Sequence, residues 1–218
     1  MIEAILPAAA VVAEARDDEA AVTLFPQEEA IVARAVEKRR REFTSGRGCA
    51  HRALAALGVA PGPVPAGKRG EPIWPDGVVG TITHCKGYRG CAVARGDELA
   101  TIGVDAETHA PLPDRLLPDL ASPEEIEALA ALSRADPSIH WDRLLFSAKE
   151  AVYKAWYPLA QRWLGFEDAV LSIDPVERTF AARLLVPGPQ LTGTEVRGFD
   201  GRWLVADGLI LSAIALSS

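Results

Sequence analysis

Leu99-Ala100-Thr101-Ile102-Gly103-Val104-Asp105-Ala106-Glu107 is the stretch from which the rest of the chain can be read. Its alternation is that of a strand: Ile102, Val104 and Ala106 fall on one face, suited to a core, and Gly103, Asp105 and Glu107 on the other. Two carboxylates thus point the same way. Acids are poor strand formers, and two on one face repel unless positive charge stands between them. One reading makes them solvent-facing residues of a half-buried strand; another makes them ligands of a hard divalent cation. Cys91 to Arg95, just upstream, predicts a strand that forms a hairpin with it, turning at Gly96-Asp97-Glu98.

Further upstream, Pro26-Gln27-Glu28-Glu29 reads as a helix start, with proline in the first turn and acids at the positive end of the helix dipole. The helix is expected to run to about Phe43, break at Gly46 and Gly48, and resume from Cys49 to Leu57, where Gly58 ends it. Pro61 to Pro75 is rich in proline and glycine and reads as loop, although it carries Lys68, Arg69 and Trp74. Val78 to Thr83 predicts a strand ending at His84. Downstream, Ser122-Pro123-Glu124-Glu125 has the order of a capping box and opens a helix toward Leu132. A longer helix is expected from Ile139 to Tyr157, stopped by Pro158. Strands follow near Ala169 to Ile173, Phe180 to Val186, and Arg202 to Ala206 with Leu209 to Leu216 across an Asp207-Gly208 turn.

Helices followed by strands thus occur twice. The order predicts an α+β protein of two similar-sized, pseudo-symmetric lobes, each a small, mostly antiparallel sheet with helices, with the active site at their junction. The expected division is 1–103 and 104–218. With 218 residues and 49% hydrophobic side chains the chain can build a substantial core. Its three cysteines, Cys49, Cys85 and Cys91, include no CxxC pair, which argues against a disulfide framework or a structural zinc and fits a reducing compartment. The apolar run from Ala4 to Ala13 is broken by Pro7 and lacks a basic lead, so neither a signal peptide nor a membrane span is expected, and the cytoplasm is the expected location. A net charge of −7 argues against general nucleic-acid binding. Yet Arg34, Lys38, Arg39, Arg40, Arg41, Arg47 and Arg52 crowd one segment, an asymmetry suited to a small polyanion. Within it, Arg34, Lys38 and Arg41 form a stripe that reads as a solvated helix face.

The second stretch with chemistry in it is Phe146-Ser147-Ala148-Lys149-Glu150-Ala151-Val152-Tyr153-Lys154. Leu144, Ala148, Ala151, Val152 and Ala155 make one apolar stripe, and Glu150 and Lys154 share the opposite side. The plain reading is a surface ion pair one turn apart; the other adds Glu150 to Asp105 and Glu107 as a third oxygen ligand.

Gly-Val-Asp-Ala-Glu followed some forty residues later by Phe-Ser-Ala-Lys-Glu-Ala-Val-Tyr-Lys-Ala-Trp closely resembles the phosphopantetheinyl transferases of the surfactin-synthetase and enterobactin-synthase type, in detail their actinobacterial branch. Arg41-Glu42-Phe43 with Gly46 to Leu54, Gly67-Lys68-Arg69-Gly70-Glu71-Pro72-Ile73-Trp74-Pro75, and Thr81-Ile82-Thr83-His84-Cys85-Lys86-Gly87-Tyr88 look like that family's successive coenzyme A segments. The resemblance covers roughly residues 25 to 170. Phe146 stands where many relatives have tryptophan.

The resemblance implies a Mg²⁺-dependent holo-[carrier protein] synthase that moves the 4'-phosphopantetheine arm of coenzyme A to a serine of an acyl or peptidyl carrier protein and releases 3',5'-ADP. It would serve fatty acid, polyketide or nonribosomal peptide synthesis. Arg47, Arg52, Lys68 and Arg69 would bind the nucleotide and its 3'-phosphate, and His84 the pyrophosphate. Asp105, Glu107 and Glu150 would hold Mg²⁺, or Mn²⁺ in its place. Glu150 would serve as general base, with Lys154 assisting the departing nucleotide and Lys149 a weaker candidate for that role. The first lobe would bind the nucleotide and the second would carry metal and catalysis. Glu124 and Glu125 stay outside the site, since capping explains Glu125. Trp156, Tyr157, Trp163, Leu164 and Phe166 are either a carrier-facing surface or core. A monomer is expected, because two lobes of one chain can form the cleft. Two rival readings are another Mg²⁺-dependent enzyme of nucleotide pyrophosphates and an inactive coenzyme A binding module.

Overall fold

A computed structural model describes residues 1–16, 22–113 and 115–218. Strand β1 (Val11–Ala15) precedes helices α1 (Pro26–Val32) and α2 (Glu37–Ala56), then strands β2 (Val78–Cys85), β3 (Tyr88–Arg95) and β4 (Leu99–Thr108). Helices α3 (Leu117–Leu120), α4 (Pro123–Ala135) and α5 (Trp141–Ala160) follow, then β5 (Ala169–Asp174), β6 (Thr179–Leu184), the short pair β7 (Gln190–Leu191) and β8 (Thr194–Glu195), and the hairpin β9 (Gly198–Ala206) and β10 (Leu209–Ser217). The class is α+β with antiparallel ladders, as the order of elements predicted. No helix among the described residues is long and apolar enough to cross a membrane.

Two sheets divide the strands, one in the order β1-β3-β2 and one in the order β4-β10-β9-β6-β5. The hairpin expected between β3 and β4 does not form. β3 pairs with β2 and β1, while β4 pairs along its length with β10. The turn at residues 96–98 is therefore where the chain changes sheets, and β4 runs unbroken through the expected division at 103/104. Burial explains the choice. Ile102, Val104 and Ala106 need partners on one face of β4, and they pack with Leu211 and Ala213 of β10 and with Tyr88 and Ala92 of β3. β1 was read only as a broken apolar run; its Ala15 packs beneath α2.

The helix expected from Pro26 to about Phe43 is divided instead at 33–36, and both glycines expected to separate it from a second helix lie inside α2. Two glycines cost about 1 kcal/mol each in a helix. Packing overrides that: Cys49, Ala50, Ala53 and Leu54 are buried against β1, β2 and β3, and a methyl group on Gly46 would sit 3.4 Å from Ile82 Cγ2. Glu28 ties α1 to this assembly, its fully buried carboxylate accepting from Phe25 N, Val64 N and His51 Nε2. The helix expected to stop at Pro158 continues to Ala160, with Gln161 capping it in the left-handed region. Proline there removes one late hydrogen bond, and burial of Trp156 and Tyr157 holds the turn.

The sheets meet along β2 and β4, which run in the same direction. Backbone N–H groups of Val104 and Ala106 donate to Thr81 Oγ1 at 3.4 Å and Thr83 Oγ1 at 2.9 Å. Threonine hydroxyls thus stand where carbonyls would in a continuous sheet. On the opposite face α5 lies flush on β4, because a side chain at Gly103 would collide with the Ala151 carbonyl oxygen and approach Ala155 N to 2.7 Å. Thr101 Oγ1 donates to Ala155 O at 2.9 Å and pins the helix end.

Candidate functional site

Gly103 sets the distance between α5 and β4, and the side chains on either side of it fill the gap. Lys154, one turn beyond Glu150 on α5, reaches Asp105 Oδ1 at 2.7 Å and also donates to Val104 O at 3.1 Å and Thr83 Oγ1 at 3.5 Å. The surface pair expected between Glu150 and Lys154 is thus replaced by a pair between Lys154 and Asp105. Asp105 is 5% exposed, and its Oδ2 is buried with no hydrogen-bond partner. At the other end of the same face, Arg143 Nη1 donates to Glu107 Oε2 at 2.9 Å, while its Nε and Nη2 donate to Ala110 O and Pro111 O.

The three acids act on one another. Burial raises the Glu107 carboxyl above its ordinary range, Asp105 adds to the rise, and Arg143 opposes it. Burial raises Glu150 as well, again with Asp105 adding and Lys154 opposing. Among the described residues no group of three His, Cys, Asp or Glu side chains stands ready around a single metal position. Asp105 lies within electrostatic reach of both Glu107 and Glu150, which line different cavities, and Asp105 and Glu107 are each held by a basic partner.

Glu150 stands between two cavities. One, of 560 Å³, is lined by Arg69, Trp74, Tyr153 and Lys154 among others; the second, of 190 Å³, by Tyr153, Trp163, Leu164 and Phe166. A third, also 560 Å³, lies on the Glu107 side and is lined by Lys38, Arg41, His84 and Lys86. The largest, 830 Å³, lies between the N-terminal turn and the outer faces of β5, β6 and β9, away from every candidate residue. Arg69 is exposed and sits over the Trp163 ring at 5.4 Å, bridging the two sides of the cleft. His84, at the end of β2, has its pKa lowered by burial of its ring, with Glu42 opposing and Lys154 and Arg89 adding to the fall.

Residues 27–94 match the family model of the 4'-phosphopantetheinyl transferase N-terminal domain, and residues 101–197 that of the 4'-phosphopantetheinyl transferase superfamily. The chain is 52% identical over 221 residues to 4'-phosphopantetheinyl transferase Svp of Streptomyces mobaraensis, an alignment spanning 100% of this chain and 90% of that one. The chain belongs to the 4'-phosphopantetheinyl transferases. It is also 50% identical over 223 residues to 4'-phosphopantetheinyl transferase Npt of Nocardia iowensis, covering 99% of both chains. With 4'-phosphopantetheinyl transferase PptT of Mycobacterium tuberculosis it shares 46% identity over 209 residues, covering 94% of this chain and 91% of the relative.

In this transferase the cations expected to bind the nucleotide are spread out. Arg47 is buried inside α2 with Phe43 stacked 4.4 Å from its guanidinium, its Nε lacks a partner, and desolvation lowers its pKa to about 10 against the pull of Glu28. Arg52 is exposed and donates to Glu14 O at 3.2 Å, and Lys68 is exposed on its loop. Arg47, Arg52 and Lys68 line none of the three cavities around the acids. Lys149 departs furthest from expectation: it is buried, ion-paired to Glu125 at 3.0 Å, and donates to Phe166 O and Ala169 O at 2.8 Å each. Glu125 in turn accepts from Ser122 N and Leu171 N, so the pair joins α4, α5 and β5 rather than facing the acids. The physical reason is helical phase, since Lys149 is about 100° around α5 from Glu150.

Of the residues read as a carrier-facing surface or core, Trp156, Tyr157 and Leu164 are core, while Trp163 is 61% exposed at the cleft and Phe166 packs beside Phe146. Sequence reasoning passed over two members of the site. Arg143 lies two turns before Glu150 on the same side of α5, a spacing that could have revealed it. Thr83 carries no such signal, since its role depends on which strand lies beside it.

Proposed function

We propose that this transferase moves the 4'-phosphopantetheine arm of coenzyme A onto a serine of an acyl or peptidyl carrier protein and releases 3',5'-ADP. The observation that carries this reading is the buried Asp105, engaged by Lys154, beside two further carboxylates whose pKa values are raised. Such a cluster is costly without added positive charge, and hard oxygen donors of this kind suit Mg²⁺, or Mn²⁺ in its place. Asp105, Glu107 and Glu150 would hold the ion, which when bound supplies charge neutralisation for a diphosphate.

The protein's own groups supply the rest. A raised pKa makes a carboxylate a stronger base, and burial together with Asp105 raises that of Glu150. It takes the proton of the carrier serine as that oxygen bonds to the phosphorus bearing pantetheine. The bond from this phosphorus to the departing 3',5'-ADP breaks, and Lys154 faces the negative charge that accumulates there. Arg69 and His84, one on each side of the acids, receive the phosphates, and Arg47 and Arg52 of α2 and Lys68 of the loop before β2 contribute positive charge. Residues 1–103 thereby serve mainly nucleotide binding and residues 104–218 metal binding and catalysis, in a monomer acting in the cytoplasm. The 190 Å³ apolar cavity beside Glu150 suits the pantetheine arm.

Incubating the purified protein with coenzyme A, Mg²⁺ and an unmodified carrier protein tests the reading by intact mass. The expected result is a gain of about 340 Da, the mass of one phosphopantetheinyl group attached covalently to the carrier. An unchanged carrier accompanied by hydrolysed coenzyme A would reassign the site to a pyrophosphatase.

A further inference from the structure

Few buried side-chain polar atoms among the described residues lack a partner, and three of them, Asp105 Oδ2, Ser147 Oγ and Ser212 Oγ, belong to the three elements that meet behind the site. Asp105 and Ser212 are directly opposite each other in the β4–β10 ladder, a position that brings side chains on one face into reach. Ser212 shares that face with Ile210 and Ile214, which pack against α5 in the same core as Leu144 and Ala148. Ser147, fully buried, precedes Ala148 and stands one turn before Ala151, whose carbonyl lies against Gly103 of β4. From Leu209 to Leu216, Ser212 is the sole polar side chain. Alanine would fit the strand equally well, so a hydroxyl opposite the acid calls for a reason.

The orientation of Asp105 supplies one. Its Oδ1 meets Thr83 of β2 and Lys154, which leaves Oδ2, buried and without a partner, on the residue that stands opposite Ser212 in the ladder. A buried water needs two to four polar partners, and these three atoms are such a set. We propose that Ser147 and Ser212 hold one buried water that donates to Asp105 Oδ2, and that Ser212 is thereby a positioning residue for the acid. The water fixes the carboxylate plane from behind, leaving Oδ1 and the front of the group to Lys154 and the cation. The kinetic part of this inference rests on the transferase reading; the structural and metal-binding parts do not.

A crystal structure of the whole chain at a resolution that shows waters is expected to place one within hydrogen-bond reach of all three oxygens. Ser212→Ala is expected to lower kcat on the order of tenfold, leave KM for coenzyme A within about twofold, and weaken Mn²⁺ binding, followed by electron paramagnetic resonance without coenzyme A or carrier, by a similar factor. Ser212→Thr keeps the hydroxyl and is expected to recover most of both losses. Ser147→Ala and Ser212→Ala remove the same water, so their combined effect should fall well short of the product of the two. A dry, collapsed space between the three oxygens, or Ser212→Ala with unchanged Mn²⁺ binding, overturns the inference. A wild-type protein that binds Mn²⁺ but transfers nothing would sink the transferase reading, and the Mn²⁺ comparison would still decide on Ser212.

Discussion

Lys154 does two jobs at one nitrogen: it neutralises Asp105 and, through Val104 O and Thr83 Oγ1, it stitches the end of α5 to both sheets. Lys154→Met keeps the stem and loses the charge, so Asp105 is left with its charge uncompensated. The account predicts a fall in kcat of roughly 10²–10³, measured by single-turnover transfer, with the fold retained by circular dichroism. The raised carboxylates make a second prediction. A carboxyl whose folded pKa lies above its unfolded value contributes stability that is present below the unfolded pKa, near 4.5, and lost as pH rises through the folded pKa. Glu107 and Glu150 should therefore make the metal-free protein less stable above that window, and Glu150→Gln should flatten part of the decline in urea titrations run from pH 4.5 upward. Transfer has the opposite sign, because Glu150 must be ionised to take a proton: activity should rise with pH through its raised pKa.

Elements explain which parts of this were legible beforehand. Asp105 and Glu107 could be placed on one face because strand periodicity is local, and the capping box at Ser122 and Glu125 appears as written. The β9–β10 hairpin was legible from its Asp207-Gly208 turn, where both residues adopt positive φ. What escaped was the choice of partner wherever no such turn fixed it. A short turn at residues 96–98 looks the same whether it joins two paired strands or two sheets, and only the burial needs of β4 decide. Two glycines in α2 and Pro158 in α5 signal helix ends locally, but buried side chains on either side outweigh them. Helical phase already made Lys149 a weaker candidate than Lys154, and packing gives the first to Glu125 and the second to Asp105. Two substitutions test these placements. Gly103→Ala should force α5 off β4 and cost about 1–3 kcal/mol or more in urea unfolding. Lys149→Met should leave Glu125 buried without its charge partner and cost about 3–5 kcal/mol in urea unfolding; unchanged stability would show that the pair does not hold α4, α5 and β5 together.

On the scale of the molecule, two sheets of different size share one seam, and the seam is where the charge is. β2 brings Thr83 and His84, β4 brings Asp105 and Glu107, and α5 brings Arg143, Glu150 and Lys154, so no single element owns the site. Arg69 over Trp163 spans the same cleft from the loop before β2 to the turn after α5. Opposing charges already pair across the seam, so a cation and a diphosphate can enter by replacing existing partners rather than by creating charge in an empty cavity. Anomalous scattering from crystals grown with Mn²⁺ and coenzyme A measures this directly. The account predicts one peak coordinated by Asp105, Glu107 and Glu150 with the diphosphate beside it; Lys154 still seated on Asp105 and the metal bound elsewhere would contradict it.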